Sequence, residues 1–414
     1  MGRREKIVIA AADCFLRAGF AETSLDEIVD SAGIVKQTLY NHFDSKETLF
    51  KEAIDLLTRK SKLELDSRWY KLPLSEFLTN VGEAQLQQFR DKQTTDFLRL
   101  LVKECRKYPQ LQEVYSRAIP EPMINFVVGY FGGTEISPQS TSYIRGLAWC
   151  FRAALTGYIS LSNLSDVTHI SLPSHAQYLS LVVSIFERLL AKVDAVVGGN
   201  HKQKDAQAAQ QSSANQELLQ FAEGKDKRTA ILAASLKTFS RKGFAETSME
   251  EVAVVSKVSK QTVYKYFKNK NVLYSALCDE VIEQLRGSFL PMLQQHSNSS
   301  DYLVDYVSAF VDRMRDPVLR EYFRMVIGES RTFPKESASL FVYLFGFGTE
   351  VLAAQIGQAT RKNVFTLAVA CRSILGSFLL ARQIYTLGND APYADEDGLI
   401  AMLRSIVEQG VALS

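Results

Sequence analysis

Residues 4–50 and 228–274 of this 414-residue chain are two versions of one sequence. Arg17-Ala18-Gly19-Phe20-Ala21-Glu22-Thr23-Ser24 returns as Arg241-Lys242-Gly243-Phe244-Ala245-Glu246-Thr247-Ser248. Lys36-Gln37-Thr38-Leu39-Tyr40 returns as Lys260-Gln261-Thr262-Val263-Tyr264, in the same register and without a gap. About 19 of the 47 aligned positions are identical, far above chance. A fainter echo follows, Phe97 to Pro109 against Tyr322 to Pro334, in which Arg99, Glu104 and Pro109 recur as Arg324, Glu329 and Pro334. Solenoid periods run to roughly 20–50 residues. The offset here is 228 − 4 = 224, so a whole unit of roughly domain size is present twice, a small head followed by a larger body. Whatever one half folds into, the other must also fold into.

The repeat divides the chain into heads at 1–50 and 225–274 and bodies at 51–197 and 275–414. Between the copies, residues 198–224 are rich in Gln, Ala and Ser, a linker composition, although Ala, Gln and Glu also tolerate helix. With 46% hydrophobic and 23% charged residues the chain has the balance of a globular protein. No run approaches the roughly 18 apolar residues of a membrane span, and Asp13 and Arg17 interrupt what would have to be an apolar signal core. The five cysteines are scattered without a close pair, which argues against a disulfide framework or a zinc cluster and fits a reducing cytoplasm. There is no HExxH, GxSxG, Walker or GxGxxG motif, and the five histidines lack metal-ligand spacing. An enzyme, a cofactor and a metal are therefore not expected.

Within a head, Ile7, Ala10, Ala11, Phe15 and Leu16 recur at helical spacing, with Gly19 at the stop. Ser24-Leu25-Asp26-Glu27 has the form of a capping box. A second helix follows to about Ala32, and Gly33 suits a left-handed turn. A third helix is predicted from Lys36 to about Phe43, and a fourth from about Lys46. Short helices joined through a Gly turn are the helix-turn-helix arrangement.

The run Gly-Phe-x-x-Thr-Ser, an Ala-Gly turn, then Lys-x-Thr-Leu-Tyr-x-His-Phe-x-x-Lys-x-x-Leu resembles the DNA-binding head of the tetracycline-repressor (TetR) family. The resemblance covers both heads, about a quarter of the chain, and the echo in the bodies is similar to one of the family's C-terminal domains. It implies an all-α fold of two tandem TetR-like units, each a helix-turn-helix head followed by a helical ligand-binding and dimerisation body. It also implies double-stranded DNA as partner, a small-molecule effector of apolar or amphipathic character, and no membrane.

On the third helix Lys36, Gln37, Thr38, Asn41 and His42 form the polar set. Gln37 and Asn41 can pair with adenine, Lys36 with guanine, and the Thr38 methyl can touch a thymine methyl. The resemblance gives Tyr40, Lys46 and the helix start at Ser24 to phosphates. The counterparts are Lys260, Gln261, Thr262, Lys265 and Tyr266, with Tyr264, Lys270 and Ser248. Asn41 becomes Lys265 and His42 becomes Tyr266, which predicts two unlike half-sites in an imperfect palindrome. Residues 1–50 hold 6 Lys+Arg against 8 Asp+Glu, a balance of −2, whereas residues 225–274 hold 11 against 4, a balance of +7. Head two should therefore anchor on phosphates and head one add selectivity. Val35 stands where a Ser would cap the reading helix, and Lys257 where the turn wants Gly.

Apolar helices are expected at 143–161, 177–193, 364–387 and 399–411. By the resemblance these pair as a four-helix interface, either between the copies of one chain, a pseudo-dimer, or between two chains. A linker of 27 residues spans about 30 Å on average and reaches roughly 90 Å, enough for the first arrangement. Arg99, Glu104, Arg324 and Glu329 recur as charges on apolar helices, either lining an effector cavity or forming salt bridges. The expected function is a ligand-responsive DNA-binding repressor in the bacterial cytoplasm, at the nucleoid when on DNA. The alternative is a sensor or scaffold in which one or both heads have lost DNA.

Overall fold

The computed structural model describes residues 2–105, 107–132, 136–162, 172–193, 226–295, 316–347, 349, 352–353, 364–385 and 396–412. The inter-copy linker at 198–224 lies outside them. Every regular element among the described residues is helical.

Head one comprises α1 (Arg3–Ala18), α2 (Leu25–Ala32), α3 (Lys36–Tyr40) and α4 (Lys46–Lys60). The periodic residues of α1 pack on Ile28, Leu39, Phe43 and Phe50, all buried. The capping box forms: Glu27 N donates to Ser24 Oγ at 3.1 Å and Ser24 N to Glu27 Oε2 at 3.0 Å. Thr23 of the repeated Phe-x-x-Thr motif donates its hydroxyl to the Gly19 carbonyl at 2.7 Å, and Thr247 does the same to Gly243 at 2.8 Å. The motif thus fixes the corner between the first two helices in both copies.

Body one follows as α5 (Leu74–Arg90), α6 (Lys92–Glu104), α7 (Leu111–Ala118), α8 (Pro120–Tyr130), α9 (Pro138–Ser162) and α10 (His175–Leu190). Head two repeats the first with α11 (Lys227–Lys242), α12 (Met249–Val255), α13 (Lys260–Tyr266) and α14 (Lys270–Gln295). Then come α15 (Pro317–Gly328), α16 (Pro334–Phe341), one turn of π-helix at Val342–Gly346, α17 (Val364–Tyr385) and α18 (Glu396–Ala412).

The two reading helices are not the same length. In head one the helix ends at Tyr40 rather than near Phe43, and Asn41 and His42 fall in a turn. Val35 makes no side-chain cap, as its hydrocarbon side chain must not. In head two Ser259 Oγ accepts from Thr262 N at 3.1 Å, an interaction worth about 1 kcal/mol, and the helix runs to Tyr266. The inequality reverses at the preceding turn. Gly33 sits comfortably at φ +61°, but Lys257 is held at φ +55°, the one left-handed non-glycine among the described residues. Lys257→Gly should remove that steric cost and raise unfolding free energy by roughly 0.5–1 kcal/mol after the entropy of the new glycine is counted. A rise in the urea midpoint at unchanged slope is the expected reading.

Each head is bolted to its own body by four aromatic rings. In copy one Phe15 packs on Phe20 and Phe50, which both meet Tyr108, with Phe20 and Tyr108 centroids 5.2 Å apart. In copy two Phe239 packs on Phe244 and Tyr274, which both meet Phe333, with Tyr274 and Phe333 stacked at 4.2 Å. Tyr108 and Phe333 belong to the faint echo in the bodies, whose recurrence is thereby explained by head-to-body packing.

The copies meet along their last helices. α9 lies along α17, and α10 packs against α17 and α18. The approach is close: a Cβ on Gly157 of α9 would stand 2.6 Å from the Ser373 Cα of α17. Trp149 meets Phe378 edge-on at 6.1 Å, and Ser377 Oγ donates to the Ala153 carbonyl at 3.0 Å. Nearer the heads the seam turns polar. Arg331 of copy two makes a two-pronged bond to Asp96, with Nε 2.8 Å from Oδ1, and Lys103 pairs with Glu329 at 3.0 Å. Burial would push the Asp96 carboxyl up, but the bonds from Arg331 and Lys92 outweigh it and hold the group below its ordinary value.

Candidate nucleic-acid interface

The reading helices present their polar faces outward. Lys36, Gln37, Tyr40, Asn41 and His42 are exposed and Thr38 is half-buried, while Leu39 anchors the helix in the core. Lys260, Gln261, Tyr264, Lys265 and Tyr266 are likewise exposed, Thr262 is half-buried, and Val263 is the anchor. Tyr264 and Tyr266 keep 42% and 43% of their surface exposed on one seven-residue helix, which leaves two aromatic rings on this face for contact. The helix starts at Ser24 and Ser248 are exposed too.

Charge partners tune these faces. Lys36 bonds Asp26 at 2.7 Å, and Lys260 pairs with Glu250 on the neighbouring helix. Those hydrogen bonds raise both ammonium groups above their ordinary value, so both lysines stay fully charged at neutral pH. Gln37 Nε2 donates to Asn41 Oδ1 at 3.1 Å across the exposed face of head one. Each amide keeps a free N–H and a free acceptor site beyond this bond, so the bond ties the two side chains together without using up either one's capacity to meet a base. Head two has no such internal bond, because Lys265 stands where Asn41 does.

Lys46 and Lys270, which the resemblance gives to phosphate, turn inward instead. Each ammonium lies 4.4 Å from the ring centroid of the motif phenylalanine, Phe20 or Phe244. Lys270 also donates to the carbonyls of Phe244 and Ala245 at 2.9 and 3.1 Å. Burial pushes both groups down from their ordinary value. In this state they secure the corner ahead of α2 and α12, and any phosphate contact would require them to swing out. Val35, which the sequence marks only as a poor cap, is 68% exposed at the start of α3. An isopropyl group there has the chemistry to meet a thymine methyl. Nothing in the sequence alone separates that use from the missing cap.

The recurring body charges lie near the seam. Arg99, buried, donates to the Leu16 carbonyl of α1 and to Gly328 O of copy two at 3.2 Å. Glu104 accepts from Phe20 N at 2.8 Å, whereas its counterpart Glu329 is taken by Lys103, and Arg324 bonds Glu321 at 2.6 Å. Glu104, Arg324 and Glu329 border a charged cleft of about 420 Å³ between the copies, and Arg99 borders a more apolar cavity of about 350 Å³. Paired helix-turn-helix heads on helical bodies define the class of protein.

Comparison with known proteins names the family. The model for "Bacterial regulatory proteins, tetR family" matches residues 7–53 and 231–277. The two matches fall on the two heads, so the chain carries two TetR-family DNA-binding heads in tandem. It is 33% identical over 115 residues to the transcriptional regulator YerO of Bacillus subtilis, 27% of this chain and 39% of that one. It is 32% identical over 111 residues to the regulator RutR of Escherichia coli, 27% of this chain and 44% of that one. With the repressor KstR2 of Rhodococcus jostii it shares 42% over 53 residues, 13% of this chain and 26% of that one. These matches thus span less than half the length of each relative. No helix among the described residues is long and apolar enough to cross a membrane.

Proposed function

We propose that the chain is a ligand-responsive transcriptional regulator whose two unlike heads occupy the two halves of one imperfectly palindromic operator. The observation that carries this is the pair of exposed reading helices, alike at Lys-Gln-Thr and Tyr but different at Asn41/Lys265 and His42/Tyr266. Gln37, Asn41 and His42 would read one half-site and Gln261, Lys265 and Tyr266 the other. Lys36, Thr38, Lys260 and Thr262 would complete the base-edge contacts, and Tyr40, Tyr264 and the helix starts at Ser24 and Ser248 would hold phosphates. The closeness of α9 to α17 supports a pseudo-dimer within one chain. Repression is the mode we favour, in keeping with the name of KstR2, with release by an apolar or amphipathic effector in the cytoplasm.

The test is solution mass by light scattering, alone and on DNA selected from a random pool. One chain on an operator with two unlike half-sites is the expected result. Two chains on a longer symmetric site would replace the pseudo-dimer with a homodimer. Failure to select any DNA would leave the sensor without a genomic target, the reading that the strained Lys257 and the acidic head one favour.

A further inference from the structure

The cavity of about 350 Å³ lies where body one meets copy two, at the small end of the roughly 300–1,000 Å³ typical of small-molecule sites. Its walls are largely apolar, with Phe89, Leu98 and Val102 from copy one facing Ile327 and Phe341 from copy two. Into this lining α9 places Arg152, only 4% exposed.

Arg152 has no acidic partner among the described residues. Its Nε makes no hydrogen bond, and the contact its guanidinium makes among the described residues is with the Phe89 ring, 5.6 Å from the guanidinium carbon. A buried cation without a counter-charge is expensive, and an aromatic face repays only part of that cost. The neighbouring charges do not repay it either. Asp96 borders the same cavity, but Arg331 grips both its oxygens and Lys92 takes one of them as well. Arg99 is occupied with the carbonyls of Leu16 and Gly328, which carry no net charge. The charged lining of the cavity is thus two arginines against one aspartate already claimed by other cations. Thr156 and Ser160 bring no donors, since their hydroxyls are given to the carbonyls of Arg152 and Thr156 at 3.0 and 2.8 Å. The arginine of the facing helix is placed differently: Arg372 donates to the carbonyls of Tyr343 and Leu344, both at 2.7 Å.

We infer that this cavity is a binding site for an organic monoanion, a carboxylate on an apolar body, with Arg152 as the group that holds its charge. Two parallel N–H bonds from a guanidinium match a carboxylate, and the surrounding hydrocarbon would strengthen them. The inference deepens the regulator reading by giving the effector a chemical class. The site is built from both copies, and its wall residue Arg99 reaches head one at Leu16, so an occupant that draws Arg99 inward loosens the tie between α6 and α1.

The experiment is isothermal titration of the full chain, without DNA, with straight-chain carboxylates from hexanoate to decanoate and with the alcohols of the same lengths. One carboxylate per chain is expected, bound at least about tenfold more tightly than its alcohol. Arg152→Met should weaken the carboxylate by roughly ten- to a hundred-fold and leave the alcohol unchanged. Should that variant fail to fold, Arg152→Lys, which keeps the charge and loses the fork, is expected to retain the preference for carboxylate at reduced affinity. Equal binding of acid and alcohol, no binding of any acid in the series, or wild-type affinity in Arg152→Met would each overturn the site. Because DNA is absent, any of these leaves the operator reading standing. Binding of the carboxylate with no effect on a separately measured operator complex would keep the site and remove its role as effector site.

Discussion

Gly157→Val is expected to lower the melting temperature by several degrees and to open the seam between the copies. The Cβ of any residue at 157 would lie 2.4 Å from the Cβ of Ser373 and 2.6 Å from its Cα. The second contact is with backbone, so no rotamer change relieves it, and α9 and α17 must move apart. Overpacking of this kind costs about 1–3 kcal/mol, with valine at the upper end because both its methyl groups need room. The loss should be read as a thermal shift of roughly 2–4 °C. Gly287→Ala is the matched control: it sits in α14 with nothing within 4 Å of a new Cβ, and should be neutral or stabilising by about 0.5–1 kcal/mol. Wild-type melting of Gly157→Val would mean that the two long helices do not lie together as described.

The second large effect should come from head two. Replacing Gln261 and Lys265 together by alanine is expected to cost roughly a hundredfold or more in operator affinity, since a good base contact is worth about 1–3 kcal/mol. The matching pair in head one, Gln37→Ala with Asn41→Ala, should cost nearer tenfold. Both of those side chains are neutral amides, whereas the head-two pair includes the charged Lys265. Head one also carries −2 against +7, from 6 − 8 and 11 − 4 basic and acidic residues, so it contributes less counterion release. Fluorescence anisotropy on the selected operator at two salt concentrations separates the terms. Lys265→Ala alone should reduce the salt slope by about one, whereas Gln261→Ala should leave it unchanged. A larger loss from the head-one pair would transfer the anchoring role to that head.

Much of this was legible in the residues. The duplication, the capping box at Ser24, the turn glycine at Gly33 and the strain at Lys257 each follow from local rules that look only a few positions along the chain. Local rules also give the apolar helices of the bodies, because 3.6-residue periodicity survives any tertiary arrangement. They fail where the answer depends on residues far apart. The end of α3 at Tyr40 rather than near Phe43 is a shift of about three residues that periodicity does not resolve. The inward turn of Lys46 and Lys270 depends on Phe20 and Phe244, some 26 positions earlier in each copy. The division of labour among Arg99, Glu104, Arg324 and Glu329 depends on which copy faces which, and a recurring sequence cannot show that its two copies use the same side chain differently. Arg152 offered no signal at all: it reads as one more arginine in a helix until the helices around it leave it without an acid.

The seam has a genetic corollary. A regulator that assembles from two identical chains can be poisoned by a defective copy, because mixed pairs form and fail. In the pseudo-dimer proposed above, both faces of the α9–α17 contact are supplied in cis, and a damaged chain would form no mixed pair. Loss-of-function alleles in either head should therefore behave as recessive, silenced by one intact gene in the same cell, and a lesion in one head should leave the other free to drift.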